Sequence, residues 1–217
     1  MNGSPVSAMT TRPIGATAPT TVRELAVEGA YEFTPTVFPD SRGLFVTTYQ
    51  QPQFTETTGH SFPVFQTCQS HSRRGVVRGV HFTSTPPGMA KHVYCGRGRA
   101  LDFVVDLRVG SPTFGKWDTV QLGGESFRST YLPVGVGHVF VALEDDTTMV
   151  YLMSGPYVAE NELAVSPLDP ALGLPVRLDD VEPVLSERDV AAPSLAGALE
   201  AGILPDYETC LAREAAL

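Results

Sequence analysis

Histidine, tyrosine, lysine and arginine stand in this chain at spacings that let them meet. The segments HVFVAL (138–143) and TTMVYL (147–152) are strand-like and flank an acidic turn, so they read as a hairpin. In that hairpin His138, Phe140 and Ala142 share a face with Met149, Tyr151 and Met153. Phe140 opposes Tyr151, and His138 lies diagonal to the phenol. KHVYC (91–95) and ALDFVVDL (100–107) flank the turn GRGR in the same way. Val93 then opposes Asp102, and Lys91 shares the face of Asp102, as either a rim ion pair or a pocket pair. Arg78 and His81 stand three apart in RRGVVRGVHF (73–82). A regular strand points them to opposite faces. Both enter one pocket only where the strand bulges, and Gly79 is the place for that.

The charge is uneven. The 217 residues carry a net charge of −9, which disfavours nucleic acid or an anionic membrane as a partner. From His71 to Arg108, however, seven basic residues face two acids, so the stretch is +5 and the remainder −14. That is either a solvated basic face or a pocket for an anionic small molecule. Cys68, Cys95 and Cys210 are odd in number and have no zinc spacing, which reads as free thiols in a reducing compartment. With no signal peptide and no membrane-length apolar run, a cytoplasmic location is expected.

The elements that must position these groups are strands. Beyond the first two hairpins, VVRGVHF, DTVQL and TYLPV are β-branched or aromatic-rich, and Gly, Pro, Asp and Ser clusters separate the segments. With 20 Gly and 18 Pro the chain is turn-rich. An all-β jelly roll is expected over 22–217, behind a flexible tail at 1–21, with no useful helix before about residue 190. One or two short C-terminal helices follow from Leu195, Leu199 and Ile203 at helical spacing.

Several runs resemble one family. RRGVVRGVHF resembles the GVLRGLH-type motif of the dTDP-4-dehydrorhamnose 3,5-epimerases. VFPDSRGLF (37–45) is similar to their DxRG element. KHVYCGRGRALDFVVDLRVGSPTFGKW (91–117), YLPVGVGHVFVAL (131–143) and LSERD (185–189) match later elements in order and nearly in spacing. The antibiotic-sugar branch is the nearest in character.

That resemblance implies a cupin-type jelly roll, a homodimer, and a dTDP-linked 4-keto-6-deoxyhexose as substrate, with no cofactor and no metal. Epimerisation beside a ketone needs a base on one face of the sugar, an acid on the other, and charge stabilisation at the enolate oxygen. By the resemblance His81 is the base, Asp189 its partner, Tyr151 the acid and Lys91 the enolate stabiliser. His138, Arg78, Arg42, Gln66, Glu162 and Arg188 are implied as ligand contacts. Trp117 and Tyr157 are expected to line the sugar or base site. Asp189 has a second reading as a helix cap. Thr47, Thr48, Cys68 and Pro156 depart from the family pattern and imply a looser pocket. The competing functions are a metal-dependent cupin enzyme, disfavoured by the missing HxH, a sugar-nucleotide ketoisomerase, and a non-catalytic ligand-binding cupin.

Overall fold

The computed structural model describes residues 19–217. The expected tail therefore lies outside the described residues, except that Thr20 and Thr21 already belong to a strand. One antiparallel sheet runs in the order β1 (Thr20–Glu24), β2 (Tyr31–Pro35), β10 (Ser129–Leu132), β7 (Lys91–Arg97), β12 (Thr147–Met153), β5 (Gln66–Ser72). A second runs β13 (Glu162–Ala164), β6 (Val77–Thr83), β11 (Val136–Ala142), β8 (Arg99–Asp106), β9 (Trp117–Gly123). A separate two-stranded arm, β3 (Val37–Asp40) and β4 (Gly43–Val46), completes the strands. This is the expected all-β jelly roll.

The two expected hairpins do not form. β7 and β8 follow one another in the chain but lie in different sheets, as do β11 and β12. Each pair crosses from one sheet to the other at its turn. Val93 therefore does not oppose Asp102, nor Phe140 Tyr151. Tyr151 pairs instead with Cys68 and Val93, and Phe140 with Asp102 and Arg78. Burial explains the crossing. β11 is buried at every position, so both its faces need apolar cover. One face meets the cluster between the sheets, with Val93, Val104, Val120, Phe140 and Met149. The other meets Phe82, Phe103, Val139 and Val141 under the C-terminal segment.

A third cluster lies on the outer face of the first sheet, where α1 (Gln51–Thr58) sets Phe54 against Phe33, Phe62 and Tyr131. That helix was not expected. Phe54 is its one buried residue, and a helix polar elsewhere leaves no periodic signal. α2 (Glu187–Ala191), α3 (Leu195–Glu200) and α4 (Tyr207–Glu214) close the chain. Of the expected apolar stripe, Leu195 and Ile203 pack against the core beside Ala198, the buried residue of α3, while Leu199 is exposed.

Candidate active site

Between the sheets, at the end that side chains do not fill, lies a cavity of about 690 Å³. That is within the ~300–1,000 Å³ usual for small-ligand sites. β5 contributes Gln66, Cys68 and Ser70, and β6 contributes Arg78 and His81. Lys91 comes from β7, His138 and Phe140 from β11, Tyr151 from β12 and Glu162 from β13. Arg188 and Asp189 arrive on α2, and Tyr157 lies on the loop before β13.

Arg78 and His81 reach this one cavity because β6 is bulged. His138 pairs with His81 and Phe140 with Arg78, so two steps on β11 match three on β6. Gly79 occupies the bulge with φ +127°. A Cβ there would stand 2.2 Å from the His138 carbonyl oxygen and 2.7 Å from Val139 Cα. Only glycine fits that approach.

His81 Nε2 lies 2.6 Å from Asp189 Oδ1. Asp189 is 2% exposed and sits in the first turn of α2, whose N-cap Ser186 accepts from the Asp189 backbone N–H. The cap is thus Ser186, and the Asp189 carboxylate is free to serve the imidazole. Burial lowers the His81 pKa below its ordinary value and outweighs the neighbouring carboxylate. The ring is neutral at neutral pH and able to accept a proton. For Asp189 burial acts upward, but the His81 and Ser186 hydrogen bonds and the charge beside it prevail and hold the carboxyl low. Nε2 is thus the ring nitrogen that meets the carboxylate.

On the facing sheet, burial raises the Tyr151 pKa well above its ordinary value, so the phenol keeps its proton. Its ring meets the His138 ring edge-on, with centroids 5.9 Å apart. The imidazole and phenol therefore meet as expected, but across the sandwich rather than along a hairpin. Lys91 and Asp102 do not pair. Lys91 Nζ lies 3.4 Å from Glu162 Oε2, and Thr83 donates to Glu162 Oε1 at 2.6 Å. Asp102 Oδ1 lies 2.5 Å from His138 Nε2, and its Oδ2 accepts from Thr130 at 2.8 Å. Two His–Asp pairs thus stand among the described residues, His138 on β11 with Asp102 of β8, and His81 on the neighbouring β6 with Asp189. Gln66 accepts the Tyr157 backbone N–H at 3.0 Å and so ties down the loop.

Some expected residues lie elsewhere. Arg42 is on the β3–β4 arm, 88% exposed and paired with Asp40, away from its own chain's cavity. Trp117 packs on Phe103 and donates to the Leu172 carbonyl, outside the site. Thr47 and Thr48 line a small crevice beside α1. Of the seven basic residues in the +5 stretch, Arg78 and Lys91 line the cavity. Arg74, Arg97, Arg99 and Arg108 pair with Asp180, Asp146, Glu144 and Asp106. Ser70 and the role of Asp102 were not anticipated. The strand QTCQSHS has no apolar alternation to announce that Gln66, Cys68 and Ser70 face a cavity.

The family model of dTDP-4-dehydrorhamnose 3,5-epimerase matches residues 24–197. The chain belongs to that family. A dTDP-4-dehydrorhamnose 3,5-epimerase of Mycolicibacterium smegmatis is 50% identical over 192 residues, which are 88% of this chain and 94% of the relative. Among solved structures, NovW, a 4-keto-6-deoxy sugar epimerase from the novobiocin gene cluster of Streptomyces spheroides, superposes with a TM-score of 0.84. It is 44% identical over 93% of this chain and all of its own. ChmJ of Streptomyces bikiniensis, a 3'-monoepimerase solved with dTDP-quinovose, gives 0.84 and 44%, over 88% of this chain and 96% of its own. This family consists of dTDP-sugar epimerases, which are isomerases of deoxysugar biosynthesis, and antibiotic-sugar enzymes are among the relatives.

Proposed function

We propose that the chain inverts carbons flanking the ketone of a dTDP-4-keto-6-deoxyhexose. The carrying observation is that the His81 imidazole and the Tyr151 phenol line one cavity from opposite sheets. His81 removes the proton beside the ketone, and Asp189 stabilises the imidazolium that results. The electron pair moves to the ketone oxygen as an enolate, beside the Lys91 ammonium. Collapse of the enolate takes the Tyr151 proton on the opposite face, which inverts the carbon. His138, Arg78, Gln66, Tyr157, Glu162 and Arg188 hold the sugar and its nucleotide. Relatives of similar identity act at one carbon or at two. Cys68 on the cavity wall leaves this pocket loose enough for the sugar to present C3 and C5 in turn, C5 the faster.

The test is a time course in deuterated water with dTDP-4-keto-6-deoxyglucose, followed by proton NMR. Label enters both carbons, one ahead of the other. Tyr151→Phe keeps taking up label and makes little inverted product. Label confined to one carbon at long times makes the enzyme a mono-epimerase, and a shifted ketone makes it a ketoisomerase.

The active form we propose is a cytoplasmic homodimer. The β3–β4 arm exposes Phe38, Leu44 and Phe45, an apolar surface that a second copy would cover. Arg42, held off its own cavity, keeps its expected ligand contact only across such an interface. Sedimentation of the wild type and of Phe45→Ser tests this. The three cysteines are unpaired, which suits a reducing compartment, and among the described residues no helix is long and apolar enough to cross a membrane.

A further inference from the structure

The phenol of Tyr151 has a hydrogen-bond partner that the mechanism above does not use. Its Oη lies 3.1 Å from Ser70 Oγ. β12 and β5 pair Tyr151 with Cys68 and Met149 with Ser70. The ring therefore leans one diagonal step along β5 to reach the hydroxyl. Both residues line the cavity, and Ser70 is the one hydrogen-bond partner of the Tyr151 oxygen among the described residues.

We propose that Ser70 is the positioning residue for the acid: its hydroxyl holds Tyr151 Oη in place and donates to the phenolate that remains after proton delivery. This rests on the assignment of Tyr151 as the acid. When the phenol protonates the enolate carbon, its O–H bond breaks, a C–H bond forms and the ketone returns. The negative charge is then on Tyr151, inside the sandwich. Burial opposes that charge, and so does the Asp102 carboxylate behind His138. The Ser70 hydroxyl and the Arg78 guanidinium favour it. Arg78 is itself tied to β5, through Ser72 Oγ and the His71 carbonyl at 3.1 Å each. A serine hydroxyl can donate to the phenolate because its hydrogen rotates freely. Between turnovers the same geometry keeps the phenol aimed at the face opposite His81.

The chemistry separates two readouts. Label uptake on the His81 face needs only the base and the enolate stabiliser. Inversion needs the acid as well. Ser70 acts only on the second.

The experiment compares wild type, Ser70→Ala, Ser70→Thr and Tyr151→Phe with dTDP-4-keto-6-deoxyglucose in deuterated water. Ser70→Ala is expected to take up label at the wild-type rate with unchanged KM, while inversion falls about 10- to 100-fold, as for loss of a hydrogen bond to a charged group. Ser70→Thr restores the hydroxyl and with it inversion. Equal loss of uptake and inversion in Ser70→Ala overturns the proposal, as does a rise in KM alone, which would mean that the hydroxyl holds substrate. Unchanged inversion overturns it too. If Tyr151→Phe separates uptake from inversion and Ser70→Ala does not, the role of Ser70 fails and the acid stands. If Tyr151→Phe does not separate them, the acid assignment fails and takes the Ser70 proposal with it.

Discussion

Replacing Asp189 by asparagine tests the base through its pH dependence. The carboxylate lies 2.6 Å from His81 Nε2 in a setting only 2% exposed, so the hydrogen bond is charge-assisted when the ring carries a proton. In the wild type, burial sets the His81 pKa below its ordinary 6.5. As the proposed base, His81 works as the neutral ring. Activity is therefore present above that pKa and is lost as pH falls through it, with a midpoint below 6.5. Asp189 pulls the pKa upward against burial. Asparagine keeps the shape and removes the charge, so the acid limb moves further down, not up.

A hydrogen bond to a charged group is worth about 1.5–3 kcal/mol, and a pKa unit about 1.4 kcal/mol, so the limb moves by about 1–2 pH units. The same loss destabilises the imidazolium formed in the transition state and lowers the plateau by about 10- to 100-fold. If the carboxamide also reverses the ring tautomer, the loss approaches about 10⁴-fold. The assay is kcat/KM for label uptake against pH, with NMR titration of the His81 ring as a direct reading. An acid limb that stays in place or rises would refute the dyad as drawn, and so would an unchanged plateau.

Three further outcomes follow from other parts of the structure. Gly79→Ala forces a Cβ to within 2.2 Å of the His138 carbonyl at φ +127°, so it should destabilise by about 2–4 kcal/mol in a denaturant titration and lower activity with it. Glu214 accepts from Tyr131 and from the Val134 backbone and lies 3.3 Å from His60, so Glu214→Gln should lower the melting temperature. Because the Glu214 hydrogen bond raises the His60 pKa, that part of the stability is full below pH 6.5 and is lost as pH rises through the folded value, a dependence the variant should lack. Exhaustive chelation should leave activity unchanged, since no three His, Cys, Asp or Glu side chains among the described residues converge as metal ligands; activity lost and then restored by added zinc, iron or manganese would contradict this.

The strands were legible wherever packing imposes a pattern. VVRGVHF, DTVQL and TTMVYLM all became strands, because β-branched and aromatic residues suit a pleated, half-buried surface. What spacing could not supply was the sheet each strand joins. A short turn permits both a hairpin and a crossing between facing sheets, and the local arithmetic is the same for both. Only a long-range fact separates them, namely that β8 and β11 are buried on both faces while a hairpin standing alone would leave one face wet. The polar strand β5 and the helix α1 carried no such pattern and were missed.

The crossing also bears on the chemistry. Had β11 and β12 formed a hairpin, His138 and Tyr151 would have stood side by side on one wall, and an acid there would share a face with the histidines of the second sheet. Inversion requires the reverse, a proton leaving one face of the sugar and another arriving at the opposite face. With His81 as base and Tyr151 as acid, as proposed, two facing sheets meet this requirement, because β6 carries His81 on one wall and β12 carries Tyr151 on the other. The bulge at Gly79 completes the arrangement by turning Arg78 and His81 to the same side. The bulge was legible from a parity conflict within one strand, since residues three apart cannot share a regular face. The opposed walls were not, since they depend on which sheet each strand joins.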